Sequence, residues 1–494
     1  MKLNINVIEK YFAKIVDRAE NAISCNKIEK ACKELYNASF FAYSFNHIYA
    51  DERCEKIIQQ ISKAVLYNKT DFSPNKNRIV FYDDFSIDNR GLTLQYIRAL
   101  INNRSNFLYV FGKGKNYRTG TAIIEELEAY NGARIIEINT NLNYKERICS
   151  IYDTIADFAP AKALIHIAPQ SLDVIAAFYA IPQVLRFNIN LTDHAFWLGS
   201  SMFDYNIEFR NYGATVSYEK RGFKENQLLL LPYYPICMNK PFQGFPEQVK
   251  DKVKIFSGGA LYKVYGDQGK YFEMIKRILN DNPQVVFLYA GEGKRKYFND
   301  FIRKNKLSDR VFLLGNRIDI NEVFKNSDIY LGTYPFTGGL MSQYAAVNEI
   351  PILAYTEPRY QTNYVEEIIC HQEYKKITFD DLSEFYEAAN KLCSDKKVRQ
   401  EYGEKLKQCV IPQEQFEKEL KHILDHNKSI RSCKINEEID YNAFADLYIE
   451  VENKFQSTVT LFLFKCYRFK TLFLFPIFFF RSFKPVIMRI INKK

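Results

Sequence analysis

The chain has 494 residues, which is too long for one ordinary hydrophobic core and predicts two or three domains. Its 47% hydrophobic and 26% charged residues are typical of a folded protein and argue against long disordered tracts. A net charge of +10 would suit a nucleic-acid-binding protein if it were spread along the chain, but residues 453–494 contain nine Lys or Arg and no Asp or Glu. Since the rest of the chain is nearly neutral, nucleic acid is not an expected partner.

Residues 1–75 are predicted to form a helical N-terminal module. Apolar side chains recur there at helical spacing, as in Ala31 and Leu35 and then in Ile57 and Ile61. The pattern lacks strand-like alternation and stops near a Ser-Pro pair. We therefore expect helices, and no sheet, in this part of the chain.

Residues 76–240 are predicted to form a first Rossmann-like domain. Short apolar runs rich in Ile, Val, Phe and Tyr alternate there with amphipathic stretches of helix length. This alternation is typical of a parallel sheet covered by helices on both faces. The predicted strands are 79–82, 107–111, 134–138, 163–167 and 184–187.

Residues 241–380 repeat this rhythm after a proline-rich linker and are predicted to form a second Rossmann-like domain. Two doubly wound domains in sequence place a ligand cleft at the carboxyl ends of both sheets. Residues 381–454 are charged and helical and are expected to pack back on this pair. The predicted strands of the second domain are 253–256, 285–289, 311–314, 329–331 and 351–355.

The segment Pro335-Phe-Thr-Gly-Gly-Leu340 ends a predicted strand and begins a predicted helix. Backbone N–H groups at such a junction point in one direction, and glycine lets a phosphate approach them. The segment therefore predicts an anion cradle, although a tight turn that binds nothing would have the same pattern. Small residues and cations also follow neighbouring strands of this domain, at Gly258, Gly259, Lys263 and Arg317.

The order of these motifs resembles the donor-binding domain of GT-B glycosyltransferases. It is most similar in style to bacterial enzymes that assemble capsule or lipopolysaccharide and to relatives of the O-GlcNAc transferase group. The resemblance covers roughly residues 78–380. The motifs in order are Ser257-Gly258-Gly259, Gly291-Glu292-Gly293, Gly315-Asn316-Arg317, Ser327-Asp328-Ile329 and the Pro335–Leu340 segment.

The resemblance implies a nucleotide-diphosphate sugar as co-substrate, with no other cofactor and no metal ion. Its donor diphosphate would contact Thr337, Gly338, Gly339 and Leu340, and Lys263 and Arg317 match positions where such enzymes often have a cation. Many family members bind the donor ribose with an acidic residue, but Tyr344 stands at that position here. The ribose would then be held by Glu349 or by backbone groups, or the site is weakened.

A second candidate group lies in residues 188–199, after a predicted strand of the first domain. Asp193 beside His194 forms a titratable pair at the expected cleft, and related bacterial transferases carry a similar Asp-His-x-Phe-Trp-Leu-Gly segment. Sugar transfer needs a base for the acceptor hydroxyl or a group that steadies the leaving diphosphate, and histidine can serve either need. Both residues are predicted to be catalytic, and a hydrogen-bonded turn pair is the structural alternative.

The acceptor side of the cleft is predicted from the first domain. Asp88, Arg90 and Gly91 follow the first strand, and His166 closes another strand. The alternatives are a helix N-terminus that uses Asp88 and a strand-end histidine whose hydrogen bonds are satisfied within the protein. No metal-ligand cluster is predicted.

Residues 455–494 combine two aromatic and aliphatic runs with cations. Each run is about half of the roughly 20 residues that a membrane-spanning helix needs, and a proline interrupts the second. A segment of this kind suits the headgroup region of an anionic membrane. We predict that this segment binds the membrane surface.

These observations predict a bacterial glycosyltransferase that moves a sugar from a nucleotide-diphosphate donor to a glycan or lipid-linked acceptor in cell-surface polysaccharide synthesis. Ten scattered cysteines without a CxxC pair, and a first segment unlike a signal peptide, favour a cytoplasmic protein peripheral on the inner face of the cell membrane. Two alternatives remain. One is an inactive GT-B module that anchors a partner transferase or glycan, and the other is a polyol-phosphate transferase of teichoic-acid type.

Overall fold

The computed structural model describes residues 3–86, 92–112, 121–238, 240–371, 375–435 and 439–491. Its N-terminal part is helical, as predicted. Apolar residues at i, i+4 and i+7 spacing, such as Ile8, Phe12 and Ile15, give the first helix one buried face. The helices of this N-terminal module are α1 (Ile5–Ser24), α2 (Ile28–Phe45) and α3 (Glu52–Leu66).

The first α/β domain contains a parallel sheet of seven strands in the order β3-β2-β1-β4-β5-β6-β7. Five of its strands were predicted, but β6 and β7 were not, because β6 alternates polar and apolar residues and β7 runs directly into the proline-rich linker. The strands are β1 (Asn75–Asp83), β2 (Asn106–Gly112), β3 (Ala133–Ile138), β4 (Pro160–His166), β5 (Leu185–Ile189), β6 (Tyr205–Glu208) and β7 (Leu228–Leu230).

Helices connect these strands and cover the sheet. Their apolar faces pack on strands whose residues are buried on both sides, as the continuous apolar runs predicted. The connecting helices are α4 (Leu92–Asn102), α5 (Thr121–Glu128), α6 (Tyr144–Phe158), α7 (Leu172–Tyr179) and α8 (Asn211–Arg221).

The second α/β domain contains a parallel sheet of six strands in the order β10-β9-β8-β11-β12-β13. The chain winds outward from β8 in both directions, as it winds from β1 in the first sheet, so both sheets are doubly wound. All five predicted strands are present, and β13 was missed. The strands are β8 (Val253–Gly258), β9 (Val285–Ala290), β10 (Val311–Gly315), β11 (Ile329–Leu331), β12 (Ile352–Tyr355) and β13 (Thr378–Phe379).

The helices of the second domain and the helices that follow it complete the packing. The later helices return to the body of the protein: α16 packs on α4, where Phe416 meets Tyr96 edge to face with ring centroids 5.2 Å apart. The helices are α9 (Lys270–Asp281), α10 (Lys296–Lys304), α11 (Ile320–Lys325), α12 (Gly339–Val347), α13 (Glu366–Ile369), α14 (Leu382–Ser394), α15 (Lys396–Cys409), α16 (Gln413–His426) and α17 (Tyr441–Lys454).

The C-terminal tail packs on the N-terminal module. Phe475 and Phe478 are fully buried, and both rings contact Tyr11 of α1. The Tyr467 hydroxyl donates a hydrogen bond to the Glu34 carboxylate on α2. One face of the predicted membrane-surface segment is therefore part of a protein core, which the sequence analysis did not foresee. The tail helices are α18 (Thr458–Tyr467), α19 (Thr471–Leu474) and α20 (Pro476–Ile491).

Candidate active site

A cavity of about 150 Å³ lies where the carboxyl edges of the two sheets meet. The loops that follow β5, β6 and β7 contribute residues from the first domain, and the loops that follow β8, β11 and β12 contribute residues from the second. Helix α17 adds a third part of the wall. The cavity is therefore at the cleft position that two doubly wound sheets predict.

The glycine turn between β11 and α12 forms one side of the cavity. Thr337, Gly339 and Leu340 line it, and α12 begins at Gly339. Because the first turn of a helix has no intrahelical partners for its N–H groups, this end of α12 carries a partial positive charge and free donors. A Cβ at Gly339 would lie 3.0 Å from Ile368, so close packing is a second reason for glycine at this position.

Lys263 lies beside this turn and also lines the cavity. Its Nζ donates a hydrogen bond to the Thr337 carbonyl at 2.9 Å, and burial lowers its pKa to about 8. Gly258 ends β8, and Gly259, with a φ of +144°, begins the loop that leads to Lys263. Neither glycine lines the cavity, so their part is to shape the loop that positions Lys263.

Asp193 and His194 form the opposite side, after β5. The Asp193 carboxylate binds His194 Nδ1 through Oδ1 at 3.1 Å and accepts a hydrogen bond from Arg210 Nε through Oδ2 at 2.5 Å. Burial by itself would raise the pKa of Asp193, but the charge of Arg210 and the His194 hydrogen bond bring that pKa well below its ordinary value. Asp193 is thus held as an anion, which suits a carboxylate that pairs with Arg210 and with the His194 ring.

Through its bond to Nδ1 the Asp193 carboxylate orients the imidazole, and a catalytic role for Asp193 itself stays a prediction. Because His194 Nδ1 faces Asp193, the neutral ring presents Nε2 as its acceptor nitrogen. The His194 side chain is 34% exposed and lines the cavity, so a bound molecule has access to it. This arrangement can accept a proton from a hydroxyl group placed in the cavity.

An aromatic wall closes the cavity on the side of α17. The ring centroids of Phe336 and Tyr448 are 4.8 Å apart, and those of Phe336 and Tyr262 are 5.6 Å apart. Phe444 lies one helical turn before Tyr448 and packs edge to face on Phe336. The sequence analysis missed these α17 residues, because an i, i+4 aromatic pair in a charged helix predicts only packing.

Arg317 does not reach the cavity, contrary to the prediction. Its guanidinium forms two hydrogen bonds to Asp319, at 2.7 and 2.6 Å, and one to the Gly244 carbonyl at 2.8 Å. The side chain is buried between the aromatic rings of Phe242 and Phe245 in the linker. Arg317 therefore fastens the interdomain linker to the second domain.

Glu349 is also misplaced by the prediction. It follows α12 and precedes β12, so it lies at the amino edge of the sheet, opposite the cavity. Its carboxylate pairs with Lys407 on α15. Tyr344, at the position where an acidic residue was expected, is buried and donates its hydroxyl hydrogen to the Ile236 carbonyl at 3.2 Å. Neither side chain lines the cavity.

The predicted acceptor-side residues are not part of the described cavity. His166 is buried, binds Asp83 Oδ1 through Nδ1 at 2.9 Å, and packs against Phe85. The alternative of a strand-end histidine satisfied within the protein is met in part: Nδ1 is paired with Asp83, whereas the buried Nε2 has no hydrogen-bond partner among the described residues. The predictions for Asp88, Arg90 and Gly91 lie outside the described residues.

Three polar residues of the site were missed by the sequence analysis: Arg210, Thr362 and Asn363. Arg210 follows β6, which was not recognised because its sequence Tyr-Asn-Ile-Glu is not an apolar run. Thr362 and Asn363 lie in a loop without any local pattern, so only the tertiary structure places them.

The comparisons with known proteins add evidence on the fold. The sequence matches no protein-family model, and the search of curated proteins finds no match. A solved structure of a mutant O-GlcNAc transferase from Thermobaculum terrenum superposes with a TM-score of 0.52 at 12% identity, covering 88% of this chain and 84% of that one. A glycosyltransferase from Rickettsia africae superposes with a TM-score of 0.50 at 11% identity, covering 71% of this chain and 98% of that one. These similarities, with the two doubly wound sheets, show that the chain has the GT-B fold of glycosyltransferases.

Proposed function

We propose that this protein is a glycosyltransferase that moves a sugar from a nucleotide-diphosphate donor to a hydroxyl group of a glycan or lipid-linked acceptor. The pathway that best suits this activity is the synthesis of a bacterial cell-surface polysaccharide. One observation carries the proposal: a single cavity of a GT-B fold has a helix N-terminus and Lys263 on one side and the Asp193–His194 pair on the other.

The donor diphosphate binds at the start of α12. Its oxygens accept hydrogen bonds from the free N–H groups of Gly339 and Leu340, and the Lys263 ammonium supplies a full positive charge. A helix N-terminus contributes about 0.3–1 kcal/mol to such an anion at an exposed site and up to about 2 kcal/mol at a partly buried one. The lysine and the helix together suit a group that becomes more negative during the reaction.

His194 acts on the acceptor. Its Nε2 takes the proton from the acceptor hydroxyl while that oxygen bonds to the anomeric carbon of the donor sugar, and the bond from that carbon to the diphosphate oxygen breaks. The electron pair of the broken bond leaves with the nucleoside diphosphate, next to Lys263 and the end of α12. A group that shifts protons in this way contributes roughly 10²- to 10⁴-fold to a rate.

Nucleotide binding is the test of the donor site. The wild-type protein is titrated calorimetrically with UDP, GDP, CDP, ADP and dTDP, and with the matching sugar nucleotides. We expect one nucleotide to bind selectively, and Gly339→Val and Lys263→Met to abolish that binding. Lys254→Met is the matched control, because Lys254 lies near the amino end of the same strand β8, away from the cavity.

Turnover separates an enzyme from an inactive module. Slow release of the nucleoside diphosphate from the bound sugar nucleotide is expected for a transferase without its acceptor. Selective binding with no release, even with glycan or glycolipid acceptors present, would contradict the transferase and favour the module. Failure of every nucleotide to bind would contradict the donor site itself.

We further propose that the C-terminal tail places the protein on the cytoplasmic face of the cell membrane. No described helix combines the length and hydropathy that crossing a bilayer requires. The face of the tail that points away from the N-terminal module exposes Phe469, Phe473, Phe480 and Phe483 beside Lys465, Arg468 and Lys470. Exposed rings next to cations suit an anionic lipid surface, where each cation contributes about 1 kcal/mol.

Co-sedimentation with lipid vesicles tests this placement. We expect binding to vesicles that contain 30% phosphatidylglycerol, weaker binding to pure phosphatidylcholine, and loss of binding in a Phe469→Ser/Phe473→Ser variant. Tyr67→Ser is the control, because Tyr67 is 77% exposed but lies outside the tail. Equal binding of the double variant and the wild type would refute the role of these rings.

A further inference from the structure

A buried chain of hydrogen bonds crosses the cleft from His194 to the glycine turn. It begins with the Asp193 carboxylate, which binds the His194 imidazole and the Arg210 guanidinium. Arg210 then reaches into the second domain: its Nη1 donates to the Thr362 carbonyl at 2.8 Å, and its Nη2 donates to the Thr362 hydroxyl at 2.9 Å. A single side chain of the first domain thereby holds the catalytic histidine of that domain and a loop of the other.

Asn363 carries the chain onward to the glycine turn. Its side-chain amide donates to the Pro335 carbonyl at 2.8 Å, and its Oδ1 accepts the N–H of Thr337 at 3.1 Å. Both ends of this amide are thus bonded to the segment that precedes Gly338 and Gly339. Asn363 is buried, so its bonds are shielded from water and hold the turn in one position.

Arg210 differs from an ordinary structural arginine of the same sheet. At the amino ends of β5 and β6, Arg186 binds Asp204 through Nε and Nη2, both at 2.9 Å, and this pair stays within the first domain. At the carboxyl ends of the same two strands, Arg210 binds Asp193 with Nε alone and places both of its Nη groups on the second domain. The planar fork of a guanidinium permits this division because its donors lie on separate nitrogens, whereas an ammonium group has all its donors on one nitrogen.

We propose that Arg210 and Asn363 are positioning residues that keep His194 and the donor turn in one fixed arrangement across the cleft. The proposal rests on the proposed transferase function. A diphosphate that binds the turn then meets an imidazole already at the correct distance for the acceptor hydroxyl. Since a displacement of about 1 Å can reduce a rate about 100-fold, the chain acts on turnover more than on donor affinity.

Hydrogen–deuterium exchange tests this series of hydrogen bonds without any substrate. In Arg210→Gln we expect loss of protection in residues 190–198 and in residues 333–341, which lie on opposite sides of the cleft. In Arg186→Gln, the matched control, residues 333–341 should keep the wild-type protection. Unchanged protection of residues 333–341 in Arg210→Gln would overturn the proposal.

Arg210→Lys separates the two functions of the arginine. Lysine can keep a charge pair with Asp193 but cannot also bond to both oxygens of Thr362. We expect Arg210→Lys to lose protection in residues 333–341 while residues 190–198 stay closer to the wild type. Wild-type exchange of both segments in this variant would show that the pair with Asp193 suffices, and would overturn the cross-cleft role.

Kinetics complete the test. With the sugar nucleotide that the wild type binds, we expect Arg210→Lys and Asn363→Ala each to lower kcat about 100-fold, with a smaller rise in KM because both variants loosen the donor turn. Because both residues act through the same series of hydrogen bonds, the double variant should lose little more activity than either single variant. Fully multiplicative losses, or a change confined to KM, would overturn the proposal. If the wild type binds no nucleotide, the proposed function fails, whatever the exchange results show.

Discussion

Lys263 is the cation of the cavity whose charge changes near neutral pH, because burial lowers its pKa to about 8. A bound diphosphate stabilises the charged ammonium and therefore raises that pKa in the complex. Below pH 8 the lysine is protonated with and without ligand, and affinity is constant. Above pH 8 the free protein loses the proton first, so binding must take up a proton and weakens.

We expect the affinity for the nucleoside diphosphate to fall as pH rises above 8, by at most about tenfold per pH unit. Lys263→Arg should flatten this profile, since arginine keeps its charge throughout. Calorimetric titrations from pH 6.5 to 9.5, in two buffers with different ionisation enthalpies, measure both the affinity and the proton uptake. A pH-independent affinity without proton uptake would show that Lys263 does not contact the diphosphate.

His194 gives a second prediction for a single residue. His194→Gln should lower turnover roughly 10²- to 10⁴-fold, because glutamine cannot accept the hydroxyl proton. Nucleotide affinity should change little, since the donor turn is untouched. His422→Gln, on α16 and outside the cavity, is the control. Normal turnover in His194→Gln would assign proton transfer to another group.

At the scale of secondary-structure elements, α12 and α15 show how packing overrides helix propensity. Gly403 lies inside α15, where alanine normally stabilises a helix by about 0.5–1 kcal/mol relative to glycine. Here a Cβ would lie 1.8 Å from the carbonyl oxygen of Glu349, which follows α12. The close approach of the two backbones therefore requires glycine at this crossing.

Gly403→Ala should consequently destabilise the protein, opposite to the propensity scale, by about 1–3 kcal/mol as an overpacked contact. Glu404→Ala, at the exposed neighbouring position of α15, should change stability by less than about 0.5 kcal/mol. Urea denaturation followed by circular dichroism measures both. A Gly403→Ala midpoint at or above the wild-type value would contradict the predicted clash.

For the molecule as a whole, the two ends of the chain form one core. Buried rings of the tail pack between helices of the N-terminal module, while other rings of the same tail face solvent. The tail thus contains two kinds of aromatic ring, those buried in the core and those exposed to solvent. Phe478, with 0% exposure, and Phe473, with 80% exposure, represent them.

Phe478→Ala should reduce the free energy of unfolding by about 3–5 kcal/mol through the cavity it leaves. Phe473→Ala should change the free energy of unfolding by less than about 0.5 kcal/mol, because its ring stays exposed in the folded protein. Thermal melts of the two variants and the wild type distinguish them. Equal stability of the two variants would mean that the tail does not pack on the module.

Most of the fold followed from local patterns in the sequence. Ten of thirteen strands were predicted from short runs rich in apolar residues, which are continuous in central strands such as β2 and β9 because those are buried on both faces. The three missed strands, β6, β7 and β13, have two to four residues each, and pairing with neighbours rather than composition makes them strands.

The candidate site was predictable only where chemistry and local structure coincide. Gly339 and Lys263 lie in the segments that follow predicted strands, so the sequence alone placed them at the carboxyl edge of the second sheet. Arg317 follows a strand in the same way, yet Asp319 turns its guanidinium towards the linker. Strand order determines the edge at which a residue lies, whereas the direction of a long side chain depends on its partners.

By itself, the sequence determined the two doubly wound domains, the position of the cleft and the glycine turn, because each depends on periodicity and backbone conformation over a few residues. Only the tertiary structure decided that Arg210 joins His194 to the loop at Thr362, that α17 closes the cavity and that half of the tail is core. These contacts join residues far apart in the sequence, and a pattern over a few neighbouring residues cannot indicate which distant residues pack together.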